Sequence, residues 1–183
     1  TQASSSAASD VYKRQTHKGA LTGIRVEGPT NSVDQRIKRL SKELDLLENE
    51  YSVLNVEQSN IFWKKTKNLE VFSNTKKNLI RVVVPVSETL NLLQKLKNVD
   101  LSYFLDWGGS LIWLELNDIS TKILNELKDI TKDHNGYFTL IKVEEDMKAA
   151  ADIFTIDPIK YKISEKIKKS FDPRRIFNPG KMY

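Results

Sequence analysis

"DLSYFLDWGGSLIWLEL", residues 100–116, decides the fold class. Leu101, Tyr103 and Leu105 alternate with Ser102, Phe104 and Asp106, the period of a strand with two unlike faces. Gly108-Gly109 supplies the positive φ of a tight turn, and "SLIWLEL" (110–116) returns as a second strand. Working outward, "LIRVVVPV" (79–86) is β-branched and reads as a buried strand. Ser87 offers a cap for a helix carrying Leu90, Leu93 and Leu96. On the other side, Asp118 caps a helix with Ile119, Ile123, Leu127 and Ile130. After Asn135-Gly136, "YFTLIKV" (137–143) closes as a strand. The order is β-α-β-β-α-β, the ferredoxin-like or split-βαβ pattern. The expected fold class is α+β, an antiparallel sheet with this ferredoxin-like unit covered by helices.

The flanks extend that picture. "GALTGIRVEG" (19–28) alternates and stops at Gly28-Pro29, a further strand that extends the sheet. Ser32-x-x-Gln35 has the form of a capping box, and Val33, Ile37, Leu40, Leu44 and Leu47 mark one helix face. "YSVLNVE" (51–57) reads as a short strand and "EQSNIFWKKTKNLEVF" (57–72) as a helix. Residues 144–157 form a connector, and 158–170 a last amphipathic helix with a partial stripe of Tyr161, Ile163 and Ile167. At the amino end, Ser and Ala dominate residues 1–9 without any period. "SSAASDVYKRQ" (5–15) resembles the spurious translated ends of environmental contigs. Residues 1–18 are therefore expected to be disordered or artefactual and the chain a fragment, with one domain over 19–183 and a returning tail over 171–183.

Composition narrows the chemistry. The 183 residues include 39% apolar and 29% charged, enough for one packed domain. No apolar run approaches the ~20 residues that span a bilayer, and the amino end lacks the apolar core of a signal peptide, so a soluble protein is expected. Cysteine is absent, which removes disulfides, thiolate metal sites and a Cys nucleophile. The net charge of +5 lies mostly in mixed-sign helices, which points to solvated faces rather than a nucleic-acid stripe. Of two histidines, His17 lies beside the suspect amino end and His134 at a helix end, suited to a contact with the helix dipole. There is no G-x-S-x-G, G-x-G-x-x-G or P-loop.

Arg81, inside an otherwise apolar strand, shares a face with Leu79 and Val83. It calls for an anionic partner, either a ligand or an internal Asp or Glu. Arg25 has the same ambiguity. The tail "FDPRRIFNPGKMY" (171–183) has rigid corners at Asp172-Pro173 and Asn178-Pro179, each residue before proline being expected to be extended. Phe171, Ile176 and Phe177 need burial, either on this domain or on a neighbour.

That tail resembles the D-P-x-x-I-F-N-P-G-[KR] terminus of FAD-linked oxidases of the vanillyl-alcohol oxidase type. "RVEGPTNSVDQRIKRL" (25–40), "FW" (62–63) followed by "IRVVVP" (80–85), and "YFLDWGGSLIWL" (103–114) are similar to segments of the FAD-binding subunits of bacterial glycolate oxidases. The resemblance covers Gly19 to Tyr183 and implies the carboxyl-terminal cap domain, which covers the flavin ring in that family. It also implies FAD as cofactor, a small 2-hydroxy acid as substrate, and oxidation of glycolate to glyoxylate by a complex. The partners implied are a metal-bearing flavoprotein and an iron–sulfur subunit, in the cytoplasm or peripheral at the inner membrane through that complex. The H-G-D-G-N and G-E-H-G motifs of metal-dependent relatives do not occur, so no catalytic or metal residue is carried over. Asn178 and Lys181, then Arg81, are the residues expected nearest the cofactor. Two other readings compete: a basic ferredoxin-like nucleic-acid binder, whose aromatic base-stacking motif is missing, and a subunit-assembly module.

Overall fold

The computed structural model describes residues 10–16, 19–47, 50–72, 77–143 and 158–179. Six strands form one sheet in the order β2-β1-β4-β5-β3-β6, every neighbouring pair antiparallel. They are β1 (Asp10–Thr16), β2 (Gly19–Arg25), β3 (Asn78–Val83), β4 (Leu101–Asp106), β5 (Leu111–Leu116) and β6 (Tyr137–Lys142). The helices are α1 (Thr30–Glu43), α2 (Val56–Lys67), α3 (Val86–Lys95), α4 (Thr121–Asp133) and α5 (Pro158–Phe171). The architecture is α+β. Among the described residues no helix is long and apolar enough to cross a membrane.

Strand alternation divides the sheet into two unlike faces. Ile80 and Val82 of β3, Leu105 of β4, Ile112, Leu114 and Leu116 of β5, and Phe138 and Leu140 of β6 all point one way. There they meet Leu92 and Leu96 of the α3 region and Leu124 and Leu127 of α4. The opposite face is covered at one end, where Trp63 of α2 and Phe72 of a short 3-10 turn pack on Leu79 and Phe104. The rest of that face carries Arg81, Val83 and Tyr137, which lie in register across β3 and β6.

Several sequence readings change. Residues 10–16, expected to be disordered or artefactual, form β1 and bridge β2 to β4; residues 1–9 and 17–18 lie outside the described residues, as does the connector 144–157. Segment 51–55 is not a strand but leads into α2. There Asn55 and Gln58 form a reciprocal capping box, with Gln58 N donating to Asn55 Oδ1 at 2.9 Å and Asn55 N to Gln58 Oε1 at 3.1 Å. The box expected at Ser32 and Gln35 is not used, because α1 already starts at Thr30, behind Pro29. Pro85 likewise precedes α3, leaving Ser87 inside the helix. Ser120, not Asp118, caps α4, accepting from Ile123 N at 3.2 Å. Proline favours helix starts because its missing N–H would be unsatisfied there anyway. Leu92 and Leu124 take the buried positions, while Leu90 stands exposed.

Candidate functional site

The partly open sheet face collects the side chains that can meet a ligand. Arg81 is half-buried on β3, between Trp113 of β5 and Thr139 of β6 in register. Its guanidinium lies 5.5 Å from the Trp107 ring centroid, an aromatic partner that the sequence reading did not include. Among the described residues no ion pair involves Arg81. An indole face attracts a cation without neutralising it, so the charge remains available to an incoming anion.

The turn presenting Trp107 is fixed locally. Trp107, Gly108 and Gly109 have φ of +54°, +64° and +103°, so the positive φ anticipated for the two glycines is present and extends to a tryptophan. This left-handed geometry costs about 1–2 kcal/mol for a residue with a Cβ. The fixed contacts around it offset that cost. Asp106 Oδ1 accepts from Trp107 N at 2.7 Å, and Ser110 Oγ donates to Trp107 O at 3.2 Å. Thr89 Oγ1 of α3 donates to Gly109 O at 2.7 Å. Trp107 is 55% exposed, so the turn holds the residue out rather than burying it.

A second cation–aromatic pair borders the same face. Lys160 of α5 donates to the Tyr137 hydroxyl, and its ammonium stands 4.6 Å from that ring's centroid. Tyr137 pairs with Val83, one step along the face from Arg81. Sequence reasoning missed Lys160 and Tyr137, because 23 residues and a connector separate them and no local pattern links them. Trp113, by contrast, packs against the Trp63 and Phe72 group, which removes a central-strand aromatic from base stacking. Arg25 is held by Glu27 and lies 5.9 Å from the Trp63 ring centroid, an internal role. His134 closes α4 with Nδ1 2.8 Å from Ile130 O, the helix-end contact anticipated for it.

The tail is built around Asp172. Helix α5 stops at Phe171, as the Asp-Pro corner predicts. The buried Asp172 carboxylate accepts from Ile176 N and Phe177 N, both at 2.9 Å. Arg175 pairs with Glu165 of α5 at 2.8 Å. Arg175 and Asn178 have φ of +51° and +48°. Asn178 is thus left-handed rather than extended, a region asparagine tolerates better than most residues. Asn178 is exposed, and among the described residues no hydrogen bond or ring contact joins it to Arg81. Lys181 lies outside the described residues. Phe171, Ile176 and Phe177, expected to be buried, are 84%, 64% and 69% exposed: the turn is formed, and its apolar side chains face outward.

Burial alone would push the Asp172 carboxyl up. The N–H groups of Ile176 and Phe177, the Lys168 ammonium and the Arg175 N–H outweigh it and hold the group below the usual carboxylate value. With the folded value depressed, the stabilisation is present above the unfolded value of about 4 and is lost as pH falls through the folded one. Protection of the Ile176 and Phe177 amides, measured by NMR as the exchange rate relative to the intrinsic rate at each pH, is expected to fall below about pH 4. In Asp172→Asn it should be low already at neutral pH, and unchanged protection there would contradict this role.

No protein-family model, curated protein or solved structure matches the chain.

Proposed function

We propose that this chain is the cap portion of the FAD-binding subunit of a glycolate (2-hydroxy acid) oxidase complex, working with a metal-bearing flavoprotein and an iron–sulfur subunit. The carrying observation is the Arg81–Trp107 pair on a sheet face that its own helices leave partly open. The β-α-β-β-α-β order with strands arranged β4-β5-β3-β6 supports a ferredoxin-like unit, the core expected of such a cap. The outward-facing Ile176 and Phe177 of the tail support a neighbouring domain or subunit in contact with it.

The residues of the open face suit the cofactor. Trp107 and Tyr137 are flat and apolar, and Arg81 and Lys160 add two positive charges, a surface matched to a planar ring that gains electron density. When bound, FAD accepts the two electrons that leave the hydroxy acid as glycolate becomes glyoxylate. This chain's share is to cover the ring, exclude water and supply fixed positive charge. Arg81 does so from a strand, where its position is set by sheet register. The resemblance adds Asn178 and Lys181 of the tail to this set.

The full protein, purified from its native source, should bring down a metal-bearing flavoprotein and reduce an acceptor dye only when glycolate is added. In that complex Arg81→Ala should slow dye reduction on the order of 10-fold, equivalent to about 1.4 kcal/mol, with assembly unchanged. A complex indifferent to glycolate, or a chain that purifies away from any flavoprotein, would refute the assignment.

A further inference from the structure

Charge along this chain is segregated more sharply than its total suggests. Residues 158–179 hold seven Lys and Arg against two carboxylates, Glu165 and Asp172, an excess of five. The whole chain has 29 cations and 24 anions, the same excess, so everything outside this segment is balanced, 22 against 22. Charge so confined describes a surface facing an anionic partner.

The same helix carries an apolar stripe. Ile163, Ile167 and Phe171 of α5 repeat at intervals of four, which stacks them on one side of a helix turning about 100° per residue. Each is more than half exposed, and α5 has no buried residue along its length. The described residues of the tail leave them exposed. Its Arg175 is fastened to Glu165, and its Phe177 O lies 3.4 Å from the Lys168 ammonium. Lys162, Lys166 and Lys169 flank the stripe in sequence.

We propose that α5 is an interfacial helix that lies flat on an anionic lipid bilayer, Ile163, Ile167 and Phe171 entering the acyl boundary and the surrounding lysines meeting lipid phosphates. Long lysine side chains can keep their ammonium at headgroup level while their stems follow the apolar surface. A short basic amphipathic helix of this kind lies on a membrane rather than spanning it, and an anionic leaflet attracts each lysine within a Debye length. The stripe continues the side of α5 on which Lys160 meets Tyr137, and the proposal does not depend on the flavin reading.

The test is co-sedimentation of the full chain with phosphatidylglycerol vesicles and, separately, with phosphatidylcholine vesicles. Binding is expected to the first at least 10-fold more strongly than to the second, and to weaken as salt rises from about 0.05 M to about 0.5 M. The double variant Ile163→Glu, Phe171→Glu and the triple variant Lys162→Glu, Lys166→Glu, Lys169→Glu should each reduce binding at least 10-fold. All these side chains are exposed, so unchanged circular dichroism will verify that the fold is intact. Equal affinity for both vesicles, no affinity for either, or binding indifferent to both variants overturns the proposal. Absence of vesicle binding, together with protection of the stripe from hydrogen exchange in the native complex, would give this face to a protein partner instead.

Discussion

Replacing Phe104 with alanine is expected to lower the melting temperature by about 6–20 °C, the equivalent of about 3–5 kcal/mol in a domain of this size. Phe104 is 1% exposed and stands where β4 meets α2 and the following 3-10 turn, among Trp63, Phe72 and Leu79. These helical elements can close only one end of that sheet face, so the loss of one ring leaves a void with few neighbours able to fill it. Tryptophan emission should shift toward the solvent value in the same variant, because Trp63 belongs to the apolar cluster that loses the ring. Thermal melts by circular dichroism read the first effect and emission spectra the second. A change under about 2 °C would mean that α2 is not packed on the sheet as described.

Gly136→Ala should cost about 1–3 kcal/mol for the opposite reason, crowding. A Cβ at this position would lie 2.5 Å from Val84 Cγ1, 2.8 Å from Thr131 Cγ2 and 2.9 Å from Thr131 O. The last is backbone and cannot rotate away, and it already accepts from Gly136 N at 2.8 Å to end α4. Relief requires β6 to move off α4. Since β6 pairs with β3, the shift reaches Arg81 and Tyr137. Urea titration is the measurement, and a midpoint equal to that of the unchanged protein would show that the close approach is not needed.

The hairpin at 100–116 and its surroundings were legible because each strand alternates cleanly and each turn carries glycine or Asn-Gly. Helix starts were less so. Ser32, Ser87 and Asp118 were all chemically able to cap, but nearby prolines at 29 and 85 and the serine at 120 competed for the same helices. Asn55 and Gln58 carried a capping signal as good as that of Ser32 and Gln35. It was obscured by the β-branched and apolar residues around it, which read as a strand. The Ser- and Ala-rich beginning masked β1, which pairs with the adjacent β2 and with β4, distant in sequence. At the candidate site, strand parity alone placed Arg81 on the correct face. Its partner did not follow from parity, because Trp107 reaches Arg81 from a turn 26 positions away. Nor could alternation reveal that the tail would satisfy Asp172 and leave its phenylalanines outward, since that depends on what else is present to bury them.

The placement of β1 has one more consequence, for the order in which the sheet assembles. Within the β3-to-β6 unit the widest pairing, Leu79 with Lys142, spans 63 positions, but Lys13 must find Leu105, 92 positions away, and such distant closures are slow. Until it arrives, β4 is an unzipped border whose free N–H and C=O groups can recruit another molecule. Strand β1, with β2 beyond it, is thus a selvedge for β4, closing a border open to pairing with other chains.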